Sequence, residues 1–212
     1  MSIEFIGIYG GTFDPIHLGH LTAASDVGKA VGLDEVRMVL SANPPHRSVP
    51  VLSAEERFAL LQIAVKDFPA LVADNCEMKR KGPSYMVDTL ASFRQRKPDS
   101  SLVLILGMEA FNGLMSWHRW QEIIDLAHIV VTNRAGFDNQ FSQEVGAYVA
   151  PFLVVDKSQL KQRTHGKIYI QTVTAMDISA TQVRRQLKEN KPVRQMLTSD
   201  CFEAISKNGF YK

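Results

Sequence analysis

Short β-rich runs alternate with stretches of helical period along this 212-residue chain, and that alternation limits the possible folds more than any other feature. The β-rich runs are residues 3–9, 36–40, 71–73, 102–106 and 129–132, then a shorter "FLVV" at Phe152 and "KIYIQTV" from Lys167. Between the first two, Leu21, Ala24, Val27 and Val31 recur at three- and four-residue spacing, and Gly32 supplies a helix stop. Parallel strands need long crossovers, and helices provide them. The expected fold is therefore α/β, a Rossmann-like doubly wound sheet, mostly parallel, with flanking helices. Residues 102–106 show no polar alternation, as befits a central strand covered on both faces, and they run into Gly107, at the strand end where ligands collect.

Further helices follow from caps and period. Ser53 and Glu56 form a capping box ahead of a face made by Phe58, Leu61 and Val65. A third helix starts near Ser84 with Met86, Leu90 and Phe93 inward. Ser179 with Gln182 repeats the box before Val183 and Leu187, and a last helix is expected over 194–207. From 135 to 166 the pattern weakens. No repeat, low-complexity tract or linker marks a boundary, so one domain over 1–212 is expected.

Composition excludes several classes. A net charge of +2 and a pI of about 8.5 give no concentrated positive field. The basic stretches "KRKG" and "KQR" lack interleaved aromatics, so no nucleic-acid partner is expected. Cys76 and Cys201 stand far apart, as in a reducing compartment. There is no leader pattern and no apolar run long enough to span a bilayer, so the expected setting is cytoplasmic, with no membrane partner. A homo-oligomer is left open.

The segment "GGTFDPIHLGH" joins the first strand to the first helix. Gly10 and Gly11 allow close backbone approach, and a helix start near Leu18 presents free N–H groups and a partial positive charge, which together suit a phosphate. His17 and His20, three apart across Gly19, fall on one side of the first turn, where both rings can donate to one anion. Taken alone, such histidines are more often a helix cap and a satisfied loop group; a pair joined to a Gly-Gly turn favours the anion. No further ligands stand nearby to complete a metal site. The lysine and hydroxyl of a Walker loop are absent, as is G-x-G-x-x-G. Far downstream, "ISATQVRRQL" sets Ser179 at a helix cap, Thr181 in its first turn and Arg184 a turn later. That is a second anion cradle, or an ordinary capped helix with a solvated arginine.

These two segments resemble the paired signatures of the H-x-G-H nucleotidyltransferase superfamily. "NPPHR" at Asn43, "PSYMVDTL" from Pro83, "LILGMEAFNGLMSWHRWQEI" and the late "NGFY" are similar to motifs of the bacterial nicotinate-nucleotide adenylyltransferases. Met86, Glu109 and Ala180 stand where that family usually has Thr, Asp and Ser. The resemblance implies joining of nicotinate mononucleotide to the AMP part of ATP, with Mg2+ accompanying ATP and pyrophosphate released. It implies that His17, His20 and Arg184 are catalytic, and that Gly10, Gly11, Thr12, Phe13, Ser179, Thr181, Gly107 and Glu109 bind ATP and its phosphates. Arg47, Tyr85 and Trp117 would bind the mononucleotide. Other acceptors, nicotinamide mononucleotide or pantetheine phosphate, would use the same phosphate machinery. A fragment of an aminoacyl-tRNA synthetase lacks its lysine-rich second motif here, and a silent nucleotide sensor would not need His17, His20 and Arg184 together.

Overall fold

The computed structural model describes residues 3–45, 49–134 and 141–212. Among these residues seven strands form one sheet: β1 (Phe5–Gly11), β2 (Glu35–Leu40), β3 (Leu71–Asp74), β4 (Ser101–Gly107), β5 (His128–Arg134), β6 (Leu153–Val154) and β7 (Ile168–Val173). Their order is β3-β2-β1-β4-β5-β7-β6. Every pairing is parallel, where the sequence led us to expect only a mostly parallel sheet. The helices are α1 (Leu18–Val31), α2 (Ala54–Ala64), α3 (Met86–Arg96), α4 (Met108–Asn112), α5 (Ile123–Leu126), α6 (Gln143–Val149), α7 (Ala180–Lys188) and α8 (Ser199–Asn208). No helix among the described residues is long and apolar enough to cross a membrane.

Winding runs outward from β1 to β3, then returns to set β4 on the other side of β1. The reversal leaves a crevice beyond the C-terminal ends of β1 and β4, where sheets of this kind bind ligands. Two apolar layers cover the sheet. Val103 and Ile105 of β4 join the layer of Leu21, Val27, Leu61 and Ile205. Leu102, Leu104 and Leu106 join that of Val87, Leu90 and Ile123. The unbroken apolar run of β4 is thus the mark of a strand buried on both faces.

Several boundaries differ from expectation. β1 runs two residues later than 3–9, because Gly10 and Gly11 still pair, with Val39 and Leu40. They end the strand and do not make a turn. The capping box of α2 forms with both halves in place, but its buried face is Arg57, Leu60, Leu61 and Ala64, with Phe58 and Val65 only half-buried at its margin. The expected last helix breaks in two. A 3-10 turn over Arg194–Met196 stops, and Thr198 starts α8 afresh by accepting from the Cys201 N–H.

Two arginines, one buried and one half-buried, hold what strand pairing does not. Arg57, 1% exposed, donates from Nη1 to the carbonyls of Thr12 at 2.7 Å and Ser41 at 2.8 Å, from Nη2 to Ala42 and from Nε to Leu52. One guanidinium therefore ties the loops after β1 and β2 to the start of α2. Arg94 donates to the carbonyls of Ser100, Leu126 and Thr164, fastening the chain before β7 beneath β4 and β5. His128 completes that fastening. Its Nδ1 accepts from the Lys167 N–H at 3.1 Å, so Nε2 carries the proton shared with the Arg163 carbonyl at 3.0 Å. Burial pushes its pKa down to about 4, with smaller downward contributions from His165, Arg94 and Lys167.

Two outcomes follow from these tethers. Arg57→Met, which fills the volume but strands four carbonyls, should lower the unfolding free energy by on the order of 3 kcal/mol; calorimetry giving a loss below about 1 kcal/mol would mean that those carbonyls find water instead. For His128, the unfolded chain takes up a proton near pH 6.5 and the folded chain only near 4. Its contribution to stability is thus complete above pH 6.5 and lost on acidification toward 4, by up to ~3 kcal/mol. An NMR titration showing the folded His128 ring protonating near 6.5 would refute this.

Candidate active site

β1 delivers the chain to the crevice and α1 carries it away, so the intervening loop sits where the sheet reverses. Phe13 takes a left-handed backbone at φ 49°, and a cis bond joins Asp14 to Pro15. His17 is the N-cap of α1, in extended conformation and with no side-chain capping bond. The His20 N–H donates to the His17 carbonyl at 3.0 Å. The amides of Leu18 and Gly19, in the first turn ahead of that bond, have no acceptor within the helix.

The His17 and His20 rings stack, with centroids 3.6 Å apart and planes 25° apart. His20 also meets the Phe13 ring edge-on at 5.2 Å. Gly19 opens no gap between the imidazoles. A Cβ there would lie 3.1 Å from the His17 ring and 3.5 Å from the Ile178 carbonyl, so glycine permits the close approach of the second motif. His17 is 5% exposed, and burial pushes its pKa down to about 4. The unliganded ring is neutral at pH 7 and acts as an uncharged donor. Its Nδ1 has no hydrogen-bond partner among the described residues.

The second segment arrives from α7. Ser179 caps this helix, its Oγ accepting from the Gln182 N–H at 3.1 Å. Arg184, one turn on, donates from Nη1 to the Asp14 carbonyl at 2.6 Å and from Nη2 to Thr181 Oγ1 at 3.3 Å. The two motif segments, 170 residues apart at Asp14 and Arg184, are therefore in direct contact. Arg184 is about one-third exposed, and Ser179 and Thr181 are exposed, so all three open to the solvent side of the loop.

On the β4 side, Gly107 is the N-cap of α4, and Glu109 lies exposed in its first turn. Tyr85 is the N-cap of α3, and a Cβ on Gly10 would strike the Met86 methyl, which places the start of α3 over the end of β1. Met86 is half-buried there and not fully inward. Trp117 follows a 3-10 turn and lies half-buried against the second apolar layer. Its neighbour His118 stacks on Tyr85 at 4.2 Å. Asn43 donates from its backbone to Ser84 Oγ at 3.0 Å, so the loop after β2 joins the same wall. Arg47 lies outside the described residues.

The sequence reading missed three residues here. Asp14 lies inside the quoted motif but was given no role; it is 6% exposed and accepts from the N–H groups of Val51 and Leu52 and from the Tyr211 hydroxyl. Arg57 stands at a helical position between apolar neighbours, a signal that went unused. Tyr211 closes "NGFY", a segment whose sequence carries no local sign of this contact. Among the described residues no three His, Cys, Asp or Glu side chains gather closely enough to hold a metal ion.

Arranged so, the crevice offers unpaired amides, a neutral imidazole and a guanidinium around one space, and an aromatic wall beside it. That set suits a polyphosphate and a flat ring. Known proteins resemble the chain along most of its length. A cytidylyltransferase-like family profile matches residues 8–186, from β1 into α7. A protein of Methylococcus capsulatus named "Probable nicotinate-nucleotide adenylyltransferase" is 42% identical over 97% of this chain and 99% of its own. One of the same name from Halorhodospira halophila is 42% identical over 99% and 96%. The solved Plasmodium falciparum nicotinic acid mononucleotide adenylyltransferase, complexed with NaAD, matches with a TM-score of 0.71 over 97% of this chain and 96% of that one, a likeness of fold at 17% identity. The chain thus belongs to the cytidylyltransferase-like family, in its nicotinate-nucleotide adenylyltransferase branch.

Proposed function

We propose that the protein transfers the adenylyl group of ATP to nicotinate mononucleotide, giving nicotinate adenine dinucleotide and pyrophosphate. The observation that carries the reading is the contact of Arg184 with the Asp14 carbonyl, which brings both motif segments to one crevice.

The chemistry asks little covalent work of the protein. A phosphate oxygen of the mononucleotide, ionised at neutral pH, attacks the α-phosphorus; the bond to the β-phosphate bridging oxygen breaks, and its electron pair leaves with pyrophosphate. No side-chain nucleophile is required. Catalysis then consists of alignment and of stabilising charge that moves toward the leaving group. His17 and His20 hold the phosphates around the reacting phosphorus, assisted by Thr12 and the backbone of residues 10–13. Ser179, Thr181 and Arg184 receive the β- and γ-phosphates, and Gly107 and Glu109 lie on the ATP side at the end of β4. Tyr85 and Trp117 take the pyridine ring, and Arg47 its phosphate.

Mg2+ enters as part of the substrate, MgATP, its ligands being phosphate oxygens and water. Two free thiols fit a reducing, cytoplasmic setting. A single domain over 1–212 agrees with one sheet that draws strands from residues 5 to 173.

Two measurements test this reading. Incubated with MgATP and each of nicotinate mononucleotide, nicotinamide mononucleotide and pantetheine phosphate, the protein should form dinucleotide fastest from the first. Preference for either of the others would reassign the acceptor, and ATP binding without pyrophosphate release would make the protein a sensor. His20→Ala should keep its fold and lose about 100- to 1,000-fold in turnover, the usual scale for one well-placed donor at a charge-developing transition state; near-normal pyrophosphate release would remove His20 from that role.

A further inference from the structure

Beyond the motif residues, one buried contact joins the chain after α8 to the centre of the site. Gly209 ends α8 in the left-handed region at φ 65°, and Tyr211 takes the same region at φ 64°, turning the chain back toward the β1–α1 loop. A non-glycine residue there is disfavoured by on the order of 1 kcal/mol or more, so something must hold it. The Tyr211 ring is buried, 7% exposed, and its hydroxyl donates to Asp14 Oδ1 at 2.9 Å across 197 positions of sequence. Burial and the adjoining carboxylate push the Tyr211 pKa far upward, so the proton stays on the phenol and points at Asp14.

Asp14 is a junction. Its Oδ2 accepts from the Val51 N–H at 2.8 Å and lies 3.9 Å from Arg184 Nη1; its Oδ1 takes a long bond from the Leu52 N–H at 3.4 Å and a short one from Tyr211; its carbonyl takes the Arg184 donor at 2.6 Å. Val51, Leu52 and Tyr211 thus supply neutral donors to a buried carboxylate. Each of them reduces the demand of that carboxylate on Arg184, the cation at ion-pair distance, with Arg57 acting on the same carboxylate from farther off. Remove the phenol proton, and Oδ1 keeps only the long bond to Leu52. The unmet charge then competes with any phosphate for Arg184.

We infer that Tyr211 is a positioning residue for adenylyl transfer: by donating to Asp14 it keeps the Arg184 guanidinium available to the departing pyrophosphate. The inference rests on the function proposed above, since it assigns Tyr211 its effect through that reaction. The hydroxyl is buried and directed at Asp14. It acts through the charge balance of Asp14, and so its effect belongs to the leaving-group side of the reaction and not to the mononucleotide.

The test is a double-mutant cycle on the full chain, with MgATP and nicotinate mononucleotide. Tyr211→Phe keeps the ring and deletes only the donor. Its kcat should fall about tenfold, with the mononucleotide KM within about twofold of wild type, a difference smaller than one ordinary hydrogen bond would make. In an Arg184→Lys background, which already lacks the guanidinium fork, the same change should cost less than about twofold, because contacts in one network are not additive. Thermal midpoints of all four proteins are measured by calorimetry and rates are read well below the lowest, so unfolding does not enter kcat. A wild-type kcat in Tyr211→Phe, a full tenfold loss in the Arg184→Lys background, a change confined to the mononucleotide KM, or a lowered midpoint with unchanged kcat would each overturn the inference while leaving the reaction intact. A wild-type protein that adenylylates no mononucleotide would overturn the function itself, and the role of Tyr211 with it.

Discussion

The crevice depends on two buried charges of opposite sign, each of which gathers backbone around itself. Arg57 collects four carbonyls from the ends of β1, β2 and the approach to α2. Asp14 collects two amides, a phenol and, through its carbonyl, Arg184. Ordering loop backbone costs about 1–2 kcal/mol per residue, and a hydrogen bond to a charged group contributes roughly 1.5–3 kcal/mol. Bonds of this kind, several to each charge, offset the ordering of a comparable number of loop residues. A parallel sheet provides rigid strand ends, but it leaves the loops beyond them without partners; here the two side chains supply those partners.

That division explains why the sheet was easier to read than the site's supports. Apolar period exposes α1 through Leu21, Ala24, Val27 and Val31, and the run at 102–106 exposes β4, because burial of these positions demands apolar side chains whatever the loops do. Caps mark α2 and α7 because Ser53 and Ser179 act within one turn. Arg57 went unread for the opposite reason. An arginine on a helix is ordinarily solvated, and only the arrival of carbonyls from residues 12, 41, 42 and 52 makes it a core residue. Asp14 and Tyr211 have the same history, as their bond spans 197 positions. The short helical turns between Gly107 and Leu126 carry too few residues for a period to emerge, and the segment before β7 spreads its apolar anchors thinly, Val145 and Val149 on the short α6 and Leu160 in a 3-10 turn, while Arg94 and His128 fasten its end.

The site also sorts its donors by charge. The interior of the crevice carries neutral ones, the amides at the start of α1 and the deprotonated His17 ring, while the guanidinium of Arg184 stands nearer solvent on α7. A buried fixed cation would bind substrate and product phosphates alike. Neutral donors align without that penalty, and a cation at the rim meets charge as it departs. Under the adenylyl-transfer reading this ordering follows the direction in which electrons move.

The N-cap of α1 shows what such a site gives up. Serine, threonine, aspartate or asparagine at that position would bind the first amides of the helix and add about 1 kcal/mol to its stability; His17 does not. An aspartate there would also present a negative charge to any incoming phosphate. The helix therefore remains open at its own mouth, kept in register by the buried stripe of Leu21, Ala24, Val27 and Val31 beneath it. Hydrophobic anchoring at one end of an element is what permits chemical incompleteness at the other, and a variant selected for thermal endurance alone would be drawn toward closing it.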